Sequence, residues 1–225
     1  MKFFNPESVL VVIPSMNSPL LMDAVNSVLS QKTMANVEAL VVWDHPQNQN
    51  FPEFESPKIK TMLLPWNTGS NGFYGHRIYS MVGHISDHEY ILFLDEDNFF
   101  EPSHIKDCLE TFKYNPGLDF VHSRRNVVTK EGEFVCPDTF EAIGEDPINL
   151  VDTSTYCFRR NFLVNYGNIW NYQWGADRRF FQIVKHNKLG KYASTGNYTV
   201  NYRLDGNPGS PTKEFFLEGY NKHGR

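Results

Sequence analysis

Short apolar runs recur through the first hundred positions, and each is closed by a polar or turn-forming residue. Ser8 to Ile13 runs into Pro14, Val37 to Trp43 into Asp44, Ile59 to Leu64 into Pro65, and Tyr90 to Leu94 into Asp95. The runs from Ser8 and Tyr90 read as strands buried on both faces, and the other two as further strands. Between them the period changes. Leu20, Leu21, Ala24, Val25, Val28 and Leu29 repeat at helical spacing behind Ser18-Pro19, a capping hydroxyl followed by a proline suited to the first helical position. Ile78, Met81, Val82 and Ile85 mark a second amphipathic helix behind the small-residue loop Gly69 to Gly75. The order β-α-β-β-α-β predicts an α/β, Rossmann-like, mostly parallel central sheet with right-handed crossovers and flanking helices.

The second half is less regular. Ile105, Cys108, Leu109 and Phe112 predict a helix stopped by Asn115-Pro-Gly117, and Leu118 to His122 a strand. Val127 to Val135 predicts a hairpin turning at Lys130-Glu-Gly132. Pro137 to Asn149 reads as an acidic loop, Thr155 to Phe158 as a strand, and Arg160 as the start of a short helix. Trp174 to Phe181 opens a helix with Phe180, Ile183 and Val184 inward. Tyr198 to Leu204 is a late strand, Asp205 to Pro211 a loop, and Lys222 to Arg225 a frayed end. A smaller antiparallel or hairpin region is therefore expected in the C-terminal half.

Ligands of open α/β sheets bind beyond the carboxyl ends of the strands. The residues expected there are Ser15 and Asn17, Asp44, Asn67, and the triplet Asp95-Glu96-Asp97. If the backbone stays extended, Asp95 and Asp97 face one site and Glu96 points elsewhere. Two hard carboxylates suit Mg²⁺ or Mn²⁺ rather than zinc; the alternative is an acidic loop capping a helix that starts at Pro102.

Composition narrows the classes. A length of 225 residues suits one α/β domain, and a net charge of −5 with no basic stripe speaks against a nucleic-acid partner. Cys108, Cys136 and Cys157 are separated and odd in number, which predicts reduced thiols and a cytoplasmic setting. The N-terminus lacks the apolar segment of a signal peptide, and no run could span a bilayer, so any membrane contact would be peripheral. Aromatic residues make up 15%, enough to supply stacking surfaces as well as a core. His84 and His88, four apart, have no third zinc ligand in view.

Val11-Val-Ile-Pro-Ser-Met-Asn17, the helix ending Ser27-Val-Leu-Ser-Gln31, Glu38-Ala-Leu-Val-Val-Trp-Asp44, Phe93-Leu-Asp-Glu-Asp97 and Gly175-Ala-Asp-Arg-Arg-Phe-Phe181 together resemble family 2 glycosyltransferases, enzymes of the GT-A fold. The resemblance covers about residues 8–204. It implies one GT-A domain over residues 1–225: a nucleotide-sugar-binding half (1–101), an acceptor-binding half (102–210) and a tail (211–225). It implies that Pro14, Ser15 and Asn17 line the nucleotide pocket and that Asp44 accepts from the base, which favours a UDP-sugar. It places Asn67 and Arg77 near ribose, sugar or phosphates. Asp95 and Asp97 match the DxD element that holds ribose and metal, and Asp177 matches the general base of an inverting transfer. The family frequently has paired acids where Trp43-Asp44 and Ala176-Asp177 stand here. Asp205 stands where some relatives place a metal-ligating histidine. The acceptor implied is a glycan or lipid-linked glycan, with a role in polysaccharide biosynthesis.

Alternative readings stay beside these. Asp177 is either the base or only a helix cap, and Arg77 either a phosphate ligand or a structural ion-pair partner. Trp170 and Trp174, with Tyr172, form either an acceptor-stacking wall or a packed loop. A sugar-nucleotide pyrophosphorylase would share the carboxylates and metal, but Ile13 to Asn17 lacks the glycines of its entry loop. A non-catalytic carbohydrate-binding domain would not need the Asp95/Asp97 pair.

Overall fold

The computed structural model describes residues 7–139, 151–204 and 211–223. In chain order the elements are β1 (Ser8–Ser15), α1 (Leu21–Leu29), β2 (Asn36–Trp43), β3 (Ile59–Leu63), α2 (His76–Ile85), β4 (Tyr90–Phe93), β5 (Phe99–Phe100) and α3 (His104–Tyr114). There follow β6 (Phe120–Val128), β7 (Phe134–Pro137), β8 (Tyr156–Arg159), α4 (Arg160–Tyr166), α5 (Ala176–Asn187), β9 (Tyr192–Arg203) and α6 (Lys213–His223). The first half matches the order expected from the apolar pattern.

The described strands form one sheet in the order β3-β2-β1-β4-β8-β6-β9-β5, with β7 paired to β6. β3, β2, β1 and β4 run parallel. β8 is antiparallel to both β4 and β6, β5 to β9, and β7 to β6, while β6 and β9 are parallel. The sheet is therefore mixed, and the antiparallel part is larger than the local hairpin expected. Val127 to Val135 does turn as predicted, but as the tip of the longer pair β6/β7.

β1 shows why the apolar runs are continuous. Val9, Val11 and Ile13 pack in one layer with α1 and α3, while Leu10 and Val12 pack in the other with α2, α4 and α5. Alternate side chains face opposite sides, and both sides are covered by helices. The second layer is rich in rings: Phe93, Phe120, Tyr156, Phe158, Trp170 and Phe180 are all fully buried. Much of the aromatic surplus is thus core.

Two helices depart from their sequence patterns. α1 begins at Leu21, because Ser18 to Leu20 form a preceding turn in which Ser18 Oγ accepts from Leu20 N at 3.2 Å. In α2 the buried side chains are His76, Ile78, Tyr79 and Val82, with Gly83, whereas Met81 and Ile85 are each 43% exposed. The buried face is rotated toward Tyr79 and Gly83, which the apolar pattern does not score. β5 and α6 were not expected from the sequence. Phe216 of α6 packs against Val127, Cys136 and Leu204. All three cysteines are buried and none is in a disulfide. No helix among the described residues is long and apolar enough to cross a membrane.

Candidate active site

The parallel strands diverge at β1 and β4: the chain moves to β2 and β3 on one side and to β8 on the other. Crevices form at such switch points. Here a cleft of about 570 Å³ opens over the carboxyl ends of β1, β2 and β4. Its lining includes Pro14, Ser15, Asp44, Asn67, His76, Asp95, Glu96, Asp97, Asp152, Trp174 and Asp177.

The acidic triplet is not extended. Asn98 N donates to Asp95 O at 3.1 Å, closing a turn. All three acids consequently line the cleft, and Glu96 does not point away as expected. Its carboxylate accepts from Ser15 Oγ at 2.6 Å, Met16 N at 3.0 Å and Ser18 N at 2.9 Å, stapling the loop after β1 to the turn after β4. Asp95 accepts from Tyr79 Oη at 2.9 Å and from Ser154 Oγ at 3.4 Å. Burial, then the neighbouring Asp97 and Asp152, push the Asp95 carboxyl up to about 8. Asp97 is raised to about 6, chiefly by burial, with Glu96 and Asp152 adding to the rise and its own backbone amide opposing it.

Asp44 is 4% exposed and already engaged. Its Oδ1 accepts from Thr68 N at 2.7 Å and Thr68 Oγ1 at 2.8 Å, and its Oδ2 from Gly69 N at 2.7 Å. Its carboxylate holds the loop after β3 in place. A Cβ on Gly69 would lie 2.5 Å from Tyr74 O and 2.9 Å from Asp44 Oδ2, so only glycine fits this approach. Asn67 Oδ1 is buried without a hydrogen-bond partner in the described structure, and Asn67 Nδ2 lies 3.7 Å from Met16 Sδ.

Three expected site residues face elsewhere. Asn17, in a left-handed conformation, donates from Nδ2 to Asn48 O and Asn50 O and anchors the β2–β3 connection outside the cleft. Arg77 follows His76 by one helical step, so its guanidinium swings away. It stacks 3.5 Å over Phe73 and donates to Thr68 O at 3.0 Å, in neither an ion pair nor the cleft lining. His76 takes the cleft position instead. Its Nδ1 pairs with Tyr172 O at 2.9 Å, and burial lowers its pKa. Trp170 is fully buried, stacked on Phe180 at 4.8 Å, so it belongs to the core and not to an acceptor wall. Trp174 is 73% exposed and does line the cleft. Asp205 lies outside the described residues. His88 Nε2 pairs with Glu38 at 3.3 Å, and no cluster of three metal-ligating side chains forms among the described residues.

Asp177 enters the cleft from the first turn of α5, released by Gly175 at φ 82°. Its Oδ1 accepts from Arg178 N at 2.7 Å. A helix N-terminus by itself favours the ionised form. Burial and Asp152 outweigh that amide and the nearby Arg125 and Arg178, raising its pKa to about 6. Asp152 is the acid the sequence did not reveal. Its Oδ1 accepts from Ser154 N at 3.0 Å and its Oδ2 accepts from Arg125, which also pairs with Asp138 at 2.7 Å. It lies between the loop expected at Pro137 to Asn149 and the strand expected from Thr155, with no spacing to mark it.

A doubly flanked α/β sheet with carboxylates at its switch-point crevice, joined to a mixed second half, is the GT-A architecture. The chain belongs to glycosyl transferase family 2, whose model matches residues 10–172. Among solved structures it is similar to S. aureus TarS 1-349, with 18% identity and a TM-score of 0.67 over 87% of this chain and 60% of that one. It is also similar to the same protein in complex with UDP (17% identity, TM-score 0.65, 88% and 60% covered). A third match is the complex with UDP-GlcNAc (16% identity, TM-score 0.66, 95% and 64% covered). The chain thus spans about 60% of the first of these structures. No curated protein matches it.

Proposed function

We propose that this chain transfers a sugar from a nucleotide-sugar donor, a UDP-sugar first among them, to a hydroxyl of a glycan or lipid-linked glycan, with inversion. The observation that carries the proposal is that Asp95, Asp97 and Asp177 line one cleft together with the loop after β1. Residues 1–101 contribute most of the donor side, and residues 102–210 contribute Asp152, Trp174 and Asp177.

The lining fits a divalent cation, Mn²⁺ or Mg²⁺. Asp44, Asp95, Glu96, Asp97, Asp152 and Asp177 line the cleft, and no Lys or Arg does among the described residues. A cation would offset the repulsion between a diphosphate and these acids; burial is the main cause of the raised Asp95 and Asp97 pKa values, and neighbouring acids add to it. Two carboxylates suffice as protein ligands, because phosphate oxygens and water complete the coordination. The bound cation would stabilise the charge that builds on the leaving diphosphate. Asp177 takes the proton of the attacking hydroxyl, and a base pKa near 6 leaves it ionised at neutral pH. Trp174 offers an exposed ring to the acceptor beside it.

The test is a thermal-shift panel of UDP-, GDP-, CMP- and dTDP-sugars with and without Mn²⁺. Ligand at 100 times its Kd adds about 2.7 kcal/mol of stability. A shift with UDP-sugars that requires Mn²⁺ is the expected result. Absence of any shift would bring the carbohydrate-binding reading forward, and pyrophosphate-dependent release of nucleoside triphosphate would favour the pyrophosphorylase.

A further inference from the structure

We infer that Tyr79 is a positioning residue for Asp95, holding that carboxylate in the rotamer in which it meets the cation of the donor complex; this rests on the transferase reading above. Tyr79 is 1% exposed, on the inner face of α2, and contributes nothing to the cleft lining itself. Its ring is fixed: it stacks on Phe93 with centroids 4.2 Å apart and an interplanar angle of 18°, and meets the edge of Trp170 at 6.2 Å. A hydroxyl on so fixed a ring cannot follow a moving partner. It donates to Asp95 Oδ1 at 2.9 Å, so Asp95 must come to it.

Ser154 closes the other side. Its Oγ accepts from Asp95 N at 3.1 Å and from Asn98 Nδ2 at 3.3 Å, and its single proton is left for Asp95 Oδ2 at 3.4 Å. Both carboxylate oxygens are thereby held by donors from two elements remote in sequence, α2 and the turn before β8. Both donors are neutral. A Lys or Arg in either place would orient Asp95 equally well and cancel the charge that a cation has to find. Neutral hydroxyls orient the Asp95 carboxyl group without adding a positive charge of their own, as hydrogen-bond partners behind a metal ligand do.

The experiment is a Mn²⁺ titration at saturating UDP, read by loss of the free-ion EPR signal, on wild type, Tyr79→Phe, Ser154→Ala and Gly83→Ala, with ligand-free melts of each. Removing such a partner typically weakens metal binding about 10–100-fold. Tyr79→Phe keeps the ring and is expected to raise the Mn²⁺ midpoint by about that factor, and Ser154→Ala to move it the same way. Gly83→Ala strains the same helix without touching Asp95 and is expected to lower the melting temperature while leaving the midpoint unchanged. A folded Tyr79→Phe with a wild-type midpoint would overturn the inference alone. Should that variant not fold, an unchanged midpoint in Ser154→Ala overturns it equally. Absence of Mn²⁺-dependent UDP binding by the wild type would overturn the transferase reading, and the inference with it.

Discussion

At the scale of single residues, the cleft is governed by its acids, whose pKa values burial and one another raise. On the proposed transferase reading, Asp97 is the carboxylate whose loss bears most directly on cation binding. Asp97→Asn should abolish the Mn²⁺-dependent part of UDP affinity with the fold intact; isothermal titration showing wild-type affinity in Mn²⁺ would sink the metal assignment. Asp177→Asn should keep donor affinity and lose about 10²–10⁴ in transfer rate, the usual worth of a general base. Because burial and Asp152 raise the Asp177 pKa to about 6, transfer by the wild type should fall as pH drops through about 6 and level off above it. A rate independent of pH between 5 and 7.5 would place the base elsewhere.

At the scale of elements, α2 explains how the fold brings donor side and core together. His76, Tyr79 and Gly83 lie on one helical stripe. The first lines the cleft, the second reaches Asp95, and the third lets α4 approach. A Cβ at Gly83 would stand 2.9 Å from the backbone of Leu163 and Val164, which cannot rotate aside. Overpacking costs about 1–3 kcal/mol, against up to about 1 kcal/mol that alanine gains over glycine in a helix. Gly83→Ala should therefore be destabilising, with a melting temperature several degrees below wild type; a rise would mean that α2 and α4 can part cheaply. The expected apolar face of α2 held at Ile78 and Val82 but failed at Met81 and Ile85, for a physical reason. Met81 and Ile85 are apolar but stay exposed, while Tyr79 is polar at its tip and Gly83 has no side chain to count. The small-residue loop before α2 was legible in the sequence, but a count of residues could not decide whether His76 or Arg77 turns inward.

For the whole molecule, the raised acids couple the cleft to stability. The sign follows from linkage. Asp95 in the folded chain holds its proton up to about pH 8, well above the ~3.9 of an unfolded aspartate. Its destabilising effect is therefore fully present above pH 8, shrinks as pH falls and vanishes below about 4. Buried His104 and His122, with pKa values lowered by burial to about 3 and about 4, act oppositely and cost stability only below about 6.5. The cation-free protein should melt at higher temperature at pH 6.5 than at pH 8.5, and Asp95→Asn should remove that difference. An equal slope in the variant would show that Asp95 is already neutral or well solvated.

What the sequence determined by itself is what depends on neighbours in the chain. The β-α-β-β-α-β order follows from local periodicity, and the polar stops at Ser15, Asp44 and Asp95 follow from where each apolar run ends. Asp95, Asp97 and Asp177 could be named because each sits at an element end with a recognisable local pattern. Tertiary structure alone decided what depends on packing between distant segments. It made Trp170 core by closing α2, α5 and the aromatic layer around it. It turned Arg77 and Asn17 out of the cleft, made Glu96 a staple for the β1 loop, and brought in Asp152 from an irregular stretch. It also extended the antiparallel half of the sheet through pairings such as β4 with β8, more than sixty residues apart. Side-chain direction at a turn and strand partnership across a sheet are settled by which alternatives bury the most surface and leave the fewest polar groups unpaired, and no local window contains that comparison.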